Sequence, residues 1–151
     1  MNETELSLNE ENYIVTESML PPRAEIPPHY QWNAASLFAS WTDWEAALSR
    51  VQAELDTVRA FQGRLCTDPA TLLAGLAAIE QVMRQVGQLY TYAGMSHFVD
   101  MTDQAAGAAY SRVLSLFGQT RAATSFAEPE LLSLGAQTLA AWQQAQPDLA
   151  L

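Results

Sequence analysis

Three long series of apolar residues, spaced by alternating steps of three and four, constrain the fold of this chain more than any other feature. Residues at this spacing share one side of an α-helix, so each series predicts an amphipathic helix whose apolar face lies in the core. The first series is Trp44, Leu48, Val51, Leu55 and Val58. The second is Leu72, Leu76, Ile79, Met83, Val86, Tyr90 and Ala93, and the third is Ala106, Tyr110, Val113 and Phe117.

Capping and stop signals bound these three helices. Thr42 and Glu45 have the spacing of a capping box at the start of the first helix, and Gly63 suits a left-handed stop after it. Asp68 followed by Pro69 is a strong start for the second helix. The predicted helices run from residues 40–42 to residue 61, from residue 69 to residue 97 or 99, and from Thr102 or Asp103 to residue 126.

The residues before the first helix have a different character. Residues 1–19 are acidic and predict a flexible tail, in which Tyr13-Ile14-Val15 carries the one strand signal of the chain. Prolines 21, 22, 27 and 28 favour an extended backbone over residues 20–30. We expect this proline-rich strap to pack through Leu20, Ile26 and Tyr30, and to be followed by apolar anchors at Trp32, Leu37 and Phe38.

The arrangement of these segments predicts the fold class. Long helices joined by short loops lie antiparallel to their neighbours. A short turn starting at Pro129 and a last helix over residues 137–144 follow the third helix. The predicted fold is all-α, with antiparallel long-helix hairpins of three main helices and a short C-terminal helix after the strap. The predicted domain spans residues 20–134, and residues 135–151 form a truncated C-terminal segment.

The charge of the chain excludes several classes of function. It has seven arginines, no lysine and 17 acidic residues, for a formal net charge of −10. Neither a nucleic acid nor an anionic membrane is an expected partner, because both attract basic surfaces. The acidic first residues do not form a targeting peptide, and no apolar run approaches the ~20 residues of a membrane span, so we expect a cytoplasmic protein. The single cysteine, Cys66, excludes an internal disulfide and predicts a small apolar side chain in a loop.

No combination of residues in the sequence forms a recognisable reaction centre. The two histidines, His29 and His97, have no histidine partner at helical spacing, and we expect His97 to contact helix-end carbonyls or a neighbouring acid. Glu128 and Glu130 flank Pro129 in what we expect to be an exposed cap. We therefore predict no catalytic, cofactor-binding or metal-ligating residue in this chain.

Apolar residues outside the three series indicate a second apolar face. Val82 and Leu89 lie seven residues apart on the second helix, and Leu116 lies off the series of the third. Together with Tyr92, these residues are the candidates for a peptide-channel or domain-interface surface. Tyr90 and Tyr92 could line a peptide-binding surface with an arginine, Arg84 or Arg121, holding a peptide carboxylate; alternatively, Tyr90 is core and the arginines pair with surplus acids.

An ordered series of sequence motifs resembles one family over residues 20–134. The strap LPPRAEIPPHYQWNAASLF leads from Leu20 to Phe38, and the first helix opens with WEAAL at Trp44. YTYAGMSHFVDMTD follows at Tyr90, and SFAEPELL follows at Ser125. This series resembles the amino-terminal helical region of oligoendopeptidase F, a branch of the thimet-oligopeptidase-like zinc metallopeptidases.

The resemblance implies a function for a longer protein. Members of the oligoendopeptidase F family hydrolyse short peptides with zinc held by a His-Glu-x-x-His motif in a later catalytic domain. The present sequence contains no such motif. The resemblance implies that these helices form one wall of the oligopeptide channel, that the chain is inactive alone, and that its partners are the catalytic domain and oligopeptides. The alternative is a free-standing acidic helical interaction module, which binds a partner or itself through the apolar face at Val82, Leu89 and Leu116.

Overall fold

The described part of the computed structural model, residue 21 and residues 25–149, contains α-helices and 3₁₀ turns and no β-strand. The chain divides into two units, Met1–Gln31 and Trp32–Leu151. The second unit holds five helices: α1, Trp41–Arg59; α2, Pro69–Val99; α3, Gln104–Thr124; α4, Ala127–Leu134; and α5, Ala136–Ala145. The all-α prediction is therefore confirmed. The predicted acidic tail and the strand signal at residues 13–15 lie outside the described residues.

The first unit shows why the prolines do not keep the strap extended throughout. Pro28–Tyr30 form a 3₁₀ turn in which the amide of Gln31 donates to the Pro28 carbonyl over 3.1 Å. Proline suits the first position of such a turn because its fixed φ is helical and its missing N–H would have no partner there. The side chain of Tyr30 is 76% exposed, so the prediction that it anchors the strap is wrong. Leu20 lies outside the described residues.

Helix α1 begins with a different cap from the one predicted. Ser40 is the N-cap: its hydroxyl oxygen accepts from the Asp43 amide over 3.2 Å, and its hydroxyl donates to the Asp43 carboxylate over 2.8 Å. The Ser40 hydroxyl thus satisfies one free amide of the first turn, but the Asp43 carboxylate accepts from this hydroxyl and not from a backbone amide, so the reciprocal capping box expected of Thr42 and Glu45 is only half formed. Glu45 is thus available for a contact between helices. Gly63 has φ +75°, the left-handed conformation predicted for the residue that follows this helix.

The starts of α2 and α3 follow the sequence signals. The Asp68 carboxylate accepts from the Thr71 amide over 2.9 Å, and Pro69 is the first helical residue. The Asp103 carboxylate accepts from the amides of Ala105 and Ala106. Both aspartates satisfy backbone donors that a helix start leaves without intrahelical partners. Helix α2 ends at Val99, within the predicted range, and α3 ends two residues before Phe126.

The segment after α3 is more helical than predicted. Pro129 is the third residue of α4, where its missing N–H removes no helical hydrogen bond. Gly135, with φ +78°, ends α4 in a conformation that favours glycine. Helix α5 then covers the last helix predicted from the sequence, and Pro147–Leu149 form a closing 3₁₀ turn.

Helices α1, α2 and α3 pack against one another, and α2 is antiparallel to both of its neighbours. The indole Nε1–H of Trp44, near the start of α1, donates to the Leu89 carbonyl in the second half of α2 over 3.0 Å. At the other end of the pair, Val58 of α1 and Ala78 of α2 line one small cavity. The hydroxyls of Tyr90 and Tyr110 are 3.2 Å apart, which joins the end of α2 to the start of α3. The predicted hairpins are thus present.

The buried face of α1 is the predicted one, since all five residues of the first series lie in the core. The buried faces of α2 and α3 overlap the predicted ones only in part. The residues of these two series that are buried as predicted are Leu72, Val86, Ala93, Ala106 and Val113. The other members of the two series were also predicted as core but are half-buried or exposed, among them Leu76, Met83, Tyr90, Tyr110 and Phe117. The core residues that replace them, each one position earlier in the chain, are Gly75, Val82, Leu89, Ala109 and Leu116. A shift by one position corresponds to about 100° around a helix, but only alternate members of each series shift, so the predicted and the observed buried faces overlap.

Packing on both sides of α2 accounts for this difference. Because α2 contacts α1 and α3 together, its buried arc is wider than a single stripe. Gly75 leaves room for the Leu65 and Phe61 side chains of the α1–α2 connection. The small residues Ala93 on α2 and Ala109 on α3 are buried in the core. The bulkier Met83 and Tyr90 lie at the edge of the arc. The predicted core faces were therefore partly right, and residues assigned to a second apolar face, such as Val82, Leu89 and Leu116, belong to the core as well.

Candidate interaction surface

The four residues predicted to form an interaction surface lie in the core. Val82, Leu89, Leu116 and Tyr92 are each at most 6% exposed. They belong to one cluster of buried apolar residues with the first series of α1. The prediction that they present an apolar face to a partner is wrong for the chain in this structure, because α1 and α3 cover them.

Tyr92 has a structural role that its sequence position did not reveal. Its ring makes edge contacts with Trp41 at 4.9 Å, Phe38 at 5.4 Å and Trp32 at 6.0 Å between centroids. Such edge-to-face pairs are favourable beyond the area that they bury. Burial raises the pKa of the Tyr92 hydroxyl, and the nearby Asp43 carboxylate adds to the rise. This cluster holds residues 32–38 against the helices, so Trp32 and Phe38 are anchors as predicted, together with Leu37.

Exposed and half-buried aromatic side chains on α2 and α3 form a second surface, which we call the outer aromatic face. It consists of Tyr90, His97, Phe98, Tyr110 and Phe117. The Tyr110 ring is stacked on His97 at 5.5 Å and meets Phe98 edge-on at 5.3 Å. Tyr90 and Tyr110 also form a ring pair at 5.6 Å. Side chains of this size on one solvent-facing side are typical of surfaces that contact a partner.

His97 differs from its predicted role at the helix end. It lies in the last turn of α2, but its partners are aromatic rings and not carbonyls or an acid. Its Nδ1 atom is inaccessible to solvent and has no hydrogen-bond partner. Among the described residues, no group of three or more histidine, cysteine, aspartate or glutamate side chains converges in a way that could hold a metal ion. None of the described helices combines the length and apolarity that a membrane crossing requires.

A larger apolar depression, which we call the α2–α5 groove, lies next to the outer aromatic face. Its volume is about 670 Å³. The lining comes from α2, from α4 and from α5, chiefly through Ile79, Met83, Ala127, Leu131, Leu132 and Leu139. Leu132 is 76% exposed, although it lines the groove. An apolar groove beside an exposed leucine is suited to a protein partner.

Charged residues lie at one edge of this groove. A neighbouring cavity of about 390 Å³ shares Met83 and Glu128 with the groove and adds Phe117 and Arg121. The ion pairs among the described residues are Arg59 with Asp56, Arg84 with Glu80, and Arg112 with Glu45. Arg121 and Glu128 belong to none of them. The edge therefore carries one positive and one negative side chain that are both free to meet opposite charges.

Of the two arginines for which pairing with acids was the alternative, Arg84 forms such a pair and Arg121 forms none among the described residues. Arg84 lies 3.5 Å from Glu80 one turn earlier on α2. Arg112 makes a two-pronged contact with the Glu45 carboxylate at 2.5 and 2.6 Å and lies 5.5 Å over the Trp44 ring. The hydrogen bond from Arg112 lowers the pKa of Glu45. This contact joins α1 to α3, and sequence spacing could not have paired residues that lie 67 positions apart.

Glu130 is not part of an exposed cap. Its carboxylate accepts from the Gly63 amide over 2.6 Å and from the Leu65 amide over 3.1 Å, and its carbonyl accepts from the Cys66 thiol over 3.3 Å. Cys66 is half-buried in the α1–α2 connection, as predicted. Burial raises the pKa of its thiol, with a further contribution from the Glu130 carboxylate. Through these contacts α4 holds the α1–α2 connection in place.

Replacing Glu130 by glutamine should lower the free energy of unfolding by about 1–2 kcal/mol, because a hydrogen bond to a charged acceptor is lost and an NH₂ group faces a backbone donor. Glu128→Gln is the matched control, since it makes the same change on the same turn of α4 at an exposed site. We expect the control to change stability by less than about 0.5 kcal/mol. Urea denaturation followed by circular dichroism measures both, and equal effects would contradict the role given to Glu130.

Comparison with known proteins adds sequence relatives to this geometry. The chain is 28% identical over 112 residues to oligoendopeptidase F, plasmid, of Lactococcus lactis subsp. cremoris, covering 74% of this chain and 19% of that protein. It is 25% identical over 112 residues to oligopeptidase PepF of Bacillus subtilis, covering 74% and 17%. It is 27% identical over 107 residues to group B oligopeptidase PepB of Streptococcus agalactiae, covering 71% and 18%.

The matched relatives are much longer than this chain. It spans less than one fifth of the length of the curated relatives it matches. No family model matches the chain, and no solved structure matches it. The resemblance inferred from the sequence motifs is nevertheless confirmed by these relatives. The chain is thus a relative of the oligoendopeptidase F peptidases, and the similarity supports its assignment to the amino-terminal region of that family.

Proposed function

We propose that this chain is a non-catalytic amino-terminal region of an oligoendopeptidase F-like zinc metallopeptidase. The observation that carries the proposal is the match over 74% of the chain to relatives that are about four times as long. In this proposal a later domain holds the zinc ion and hydrolyses short peptides in the cytoplasm. The described residues supply no convergent set of metal ligands, so no step of the reaction is assigned to them.

Within such an enzyme, the outer aromatic face is the part of this chain that would line the oligopeptide channel. Tyr90, Phe98 and Phe117 of this face are exposed, whereas the residues first predicted for this role are buried. Phe98 is 58% exposed and Tyr90 is 39% exposed, and aromatic side chains of this kind contact extended peptides with little loss of conformational entropy. Tyrosine hydroxyls on the same face can donate to peptide carbonyls. A wall of this composition would hold flexible peptides without selecting one sequence.

The purified 151-residue chain should not hydrolyse internally quenched fluorescent oligopeptides, even with added zinc, and should bind less than one zinc ion per chain. The physical reason is that zinc hydrolysis needs at least three converging protein ligands and a general base. Bacillus subtilis PepF serves as the positive control under the same conditions. Hydrolysis by the 151-residue chain together with stoichiometric zinc would contradict the proposal.

A second measurement separates this function from that of a free-standing interaction module. The nucleotide sequence following codon 151 in the source genome should continue in frame and encode His-Glu-x-x-His. A stop codon directly after codon 151 would favour the free-standing module, for which the α2–α5 groove is the observation in support. Both functions predict an inactive chain, so the reading frame and not the activity assay distinguishes them.

A further inference from the structure

The α2–α5 groove and the side chains around it are complementary to a copy of themselves. Leu132 lines the groove and is also 76% exposed, so most of its side chain is available to contact another molecule. Arg121 and Glu128 lie together at the adjoining edge, and neither has an ion-pair partner among the described residues. A suitable partner for this surface offers an exposed apolar side chain for the groove, a negative charge for Arg121 and a positive charge for Glu128, all within one patch.

A second copy of the chain carries the same patch, so its Leu132, Glu128 and Arg121 provide the apolar side chain, the negative charge and the positive charge. In a two-fold interface the same patch occurs on both partners, so each contact between different residues is made twice. We propose that the α2–α5 groove is the docking surface for a second copy of this chain, with Leu132 of each copy in the groove of the other. In this arrangement Arg121 of each copy lies opposite Glu128 of the other.

Charge favours this occupant over other classes of macromolecule. The chain has a formal net charge of −10, which repels nucleic acids and anionic membranes. The same charge opposes dimer formation over long distances, so local pairing of Arg121 with Glu128 is needed to orient the two copies. Because the repulsion between two acidic copies opposes the local contacts, we expect a dissociation constant on the order of 10–100 μM. This proposal does not depend on the assignment to a peptidase.

Sedimentation velocity of the full chain from about 5 to about 500 μM tests the proposal. The wild-type chain should shift from monomer to dimer over this range. Leu132→Asp should weaken association at least tenfold, because each copy would place a carboxylate in an apolar groove. Met101→Asp is the matched control, since Met101 is 72% exposed but lies in the α2–α3 connection and does not line the groove. The control should dimerise like the wild type.

A charge exchange tests the orientation independently of the apolar contact. Arg121→Glu and Glu128→Arg should each weaken association about tenfold, and the double variant should recover to within about threefold of wild type. Arg50→Glu on α1 changes the net charge as Arg121→Glu does, away from the groove, and should have a much smaller effect. Glu128→Arg makes the chain less acidic, so a loss of association there cannot come from general repulsion.

Three outcomes would overturn the proposal. The first is a wild-type chain that remains monomeric at every concentration. The second is a dimer that Leu132→Asp leaves unchanged, since another surface would then hold the copies together. The third is a double charge exchange that fails to recover association although circular dichroism shows it folded, because Arg121 and Glu128 would then not face each other.

Discussion

Replacing Trp44 by alanine is expected to remove about 3–5 kcal/mol from the free energy of unfolding. Trp44 is fully buried, and its ring contacts Trp41 at 5.5 Å and the Arg112 guanidinium at 5.5 Å. The substitution leaves a large cavity and also leaves the Leu89 carbonyl without the indole donor. Because small domains are stable by only about 5–15 kcal/mol, this loss should leave a large fraction of the chain unfolded well below the wild-type melting temperature.

Two variants separate the contributions to this effect. Trp44→Phe keeps an aromatic ring in the core but removes the Nε1–H donor, and we expect a loss of about 1–3 kcal/mol. Trp41→Ala removes the same side chain at a site that is 39% exposed, and it should destabilise the chain less than Trp44→Ala. Far-UV circular dichroism in urea measures all three without depending on tryptophan fluorescence. A Trp44→Ala variant as stable as Trp41→Ala would contradict the central position of Trp44.

Leu116→Asp is expected to destabilise the chain by more than about 4 kcal/mol, because it places a carboxylate without a partner in the core. Leu116 is fully buried between the three main helices. The measurement is again the free energy of unfolding in urea, with the melting temperature as a second observable. A folded Leu116→Asp chain of wild-type stability would show that this position faces solvent, as its place outside the apolar series first indicated.

Leu114→Asp provides a closely matched control. It makes the same chemical change on the same helix, two residues earlier, at a site that is 47% exposed. The intrinsic loss of helix propensity is therefore the same in both variants, and the difference between them reports burial alone. We expect Leu114→Asp to change stability by less than about 1 kcal/mol. Equal destabilisation by the two variants would contradict the orientation of α3 in this structure.

The sequence predicted the helices more reliably than their orientation. Asp68 and Asp103 cap α2 and α3 as expected, and Gly63 has the expected left-handed conformation, because these features depend on a few adjacent residues. The first series was assigned correctly because α1 has one apolar stripe and packs through it. The cap of α1 was misplaced by two residues because Ser40 and Thr42 both have suitable partners three positions later.

The candidate surface was harder to predict than the helices. On α2, Val82 and Met83 are both apolar and adjacent, and either can belong to a series with steps of three and four. Periodicity alone does not distinguish them, so Val82 and Leu89 were assigned to a second apolar face although they belong to the core together with Leu72, Val86 and Ala93. The presence of small residues such as Gly75 and Ala109 was the signal that could have identified the closely packed faces.

The sequence by itself determined that the described part of the chain is all-α, that its three main helices start and stop within two residues of the observed ends, and that it is related to oligoendopeptidase F. These properties depend on local hydrogen bonding, hydrophobic periodicity and ordered motifs, which are all readable along the chain. Only the tertiary structure decided which faces of α2 and α3 are exposed and how Glu130 holds Gly63. The physical reason is that burial depends on where neighbouring helices lie, and contacts such as this one join residues 67 positions apart.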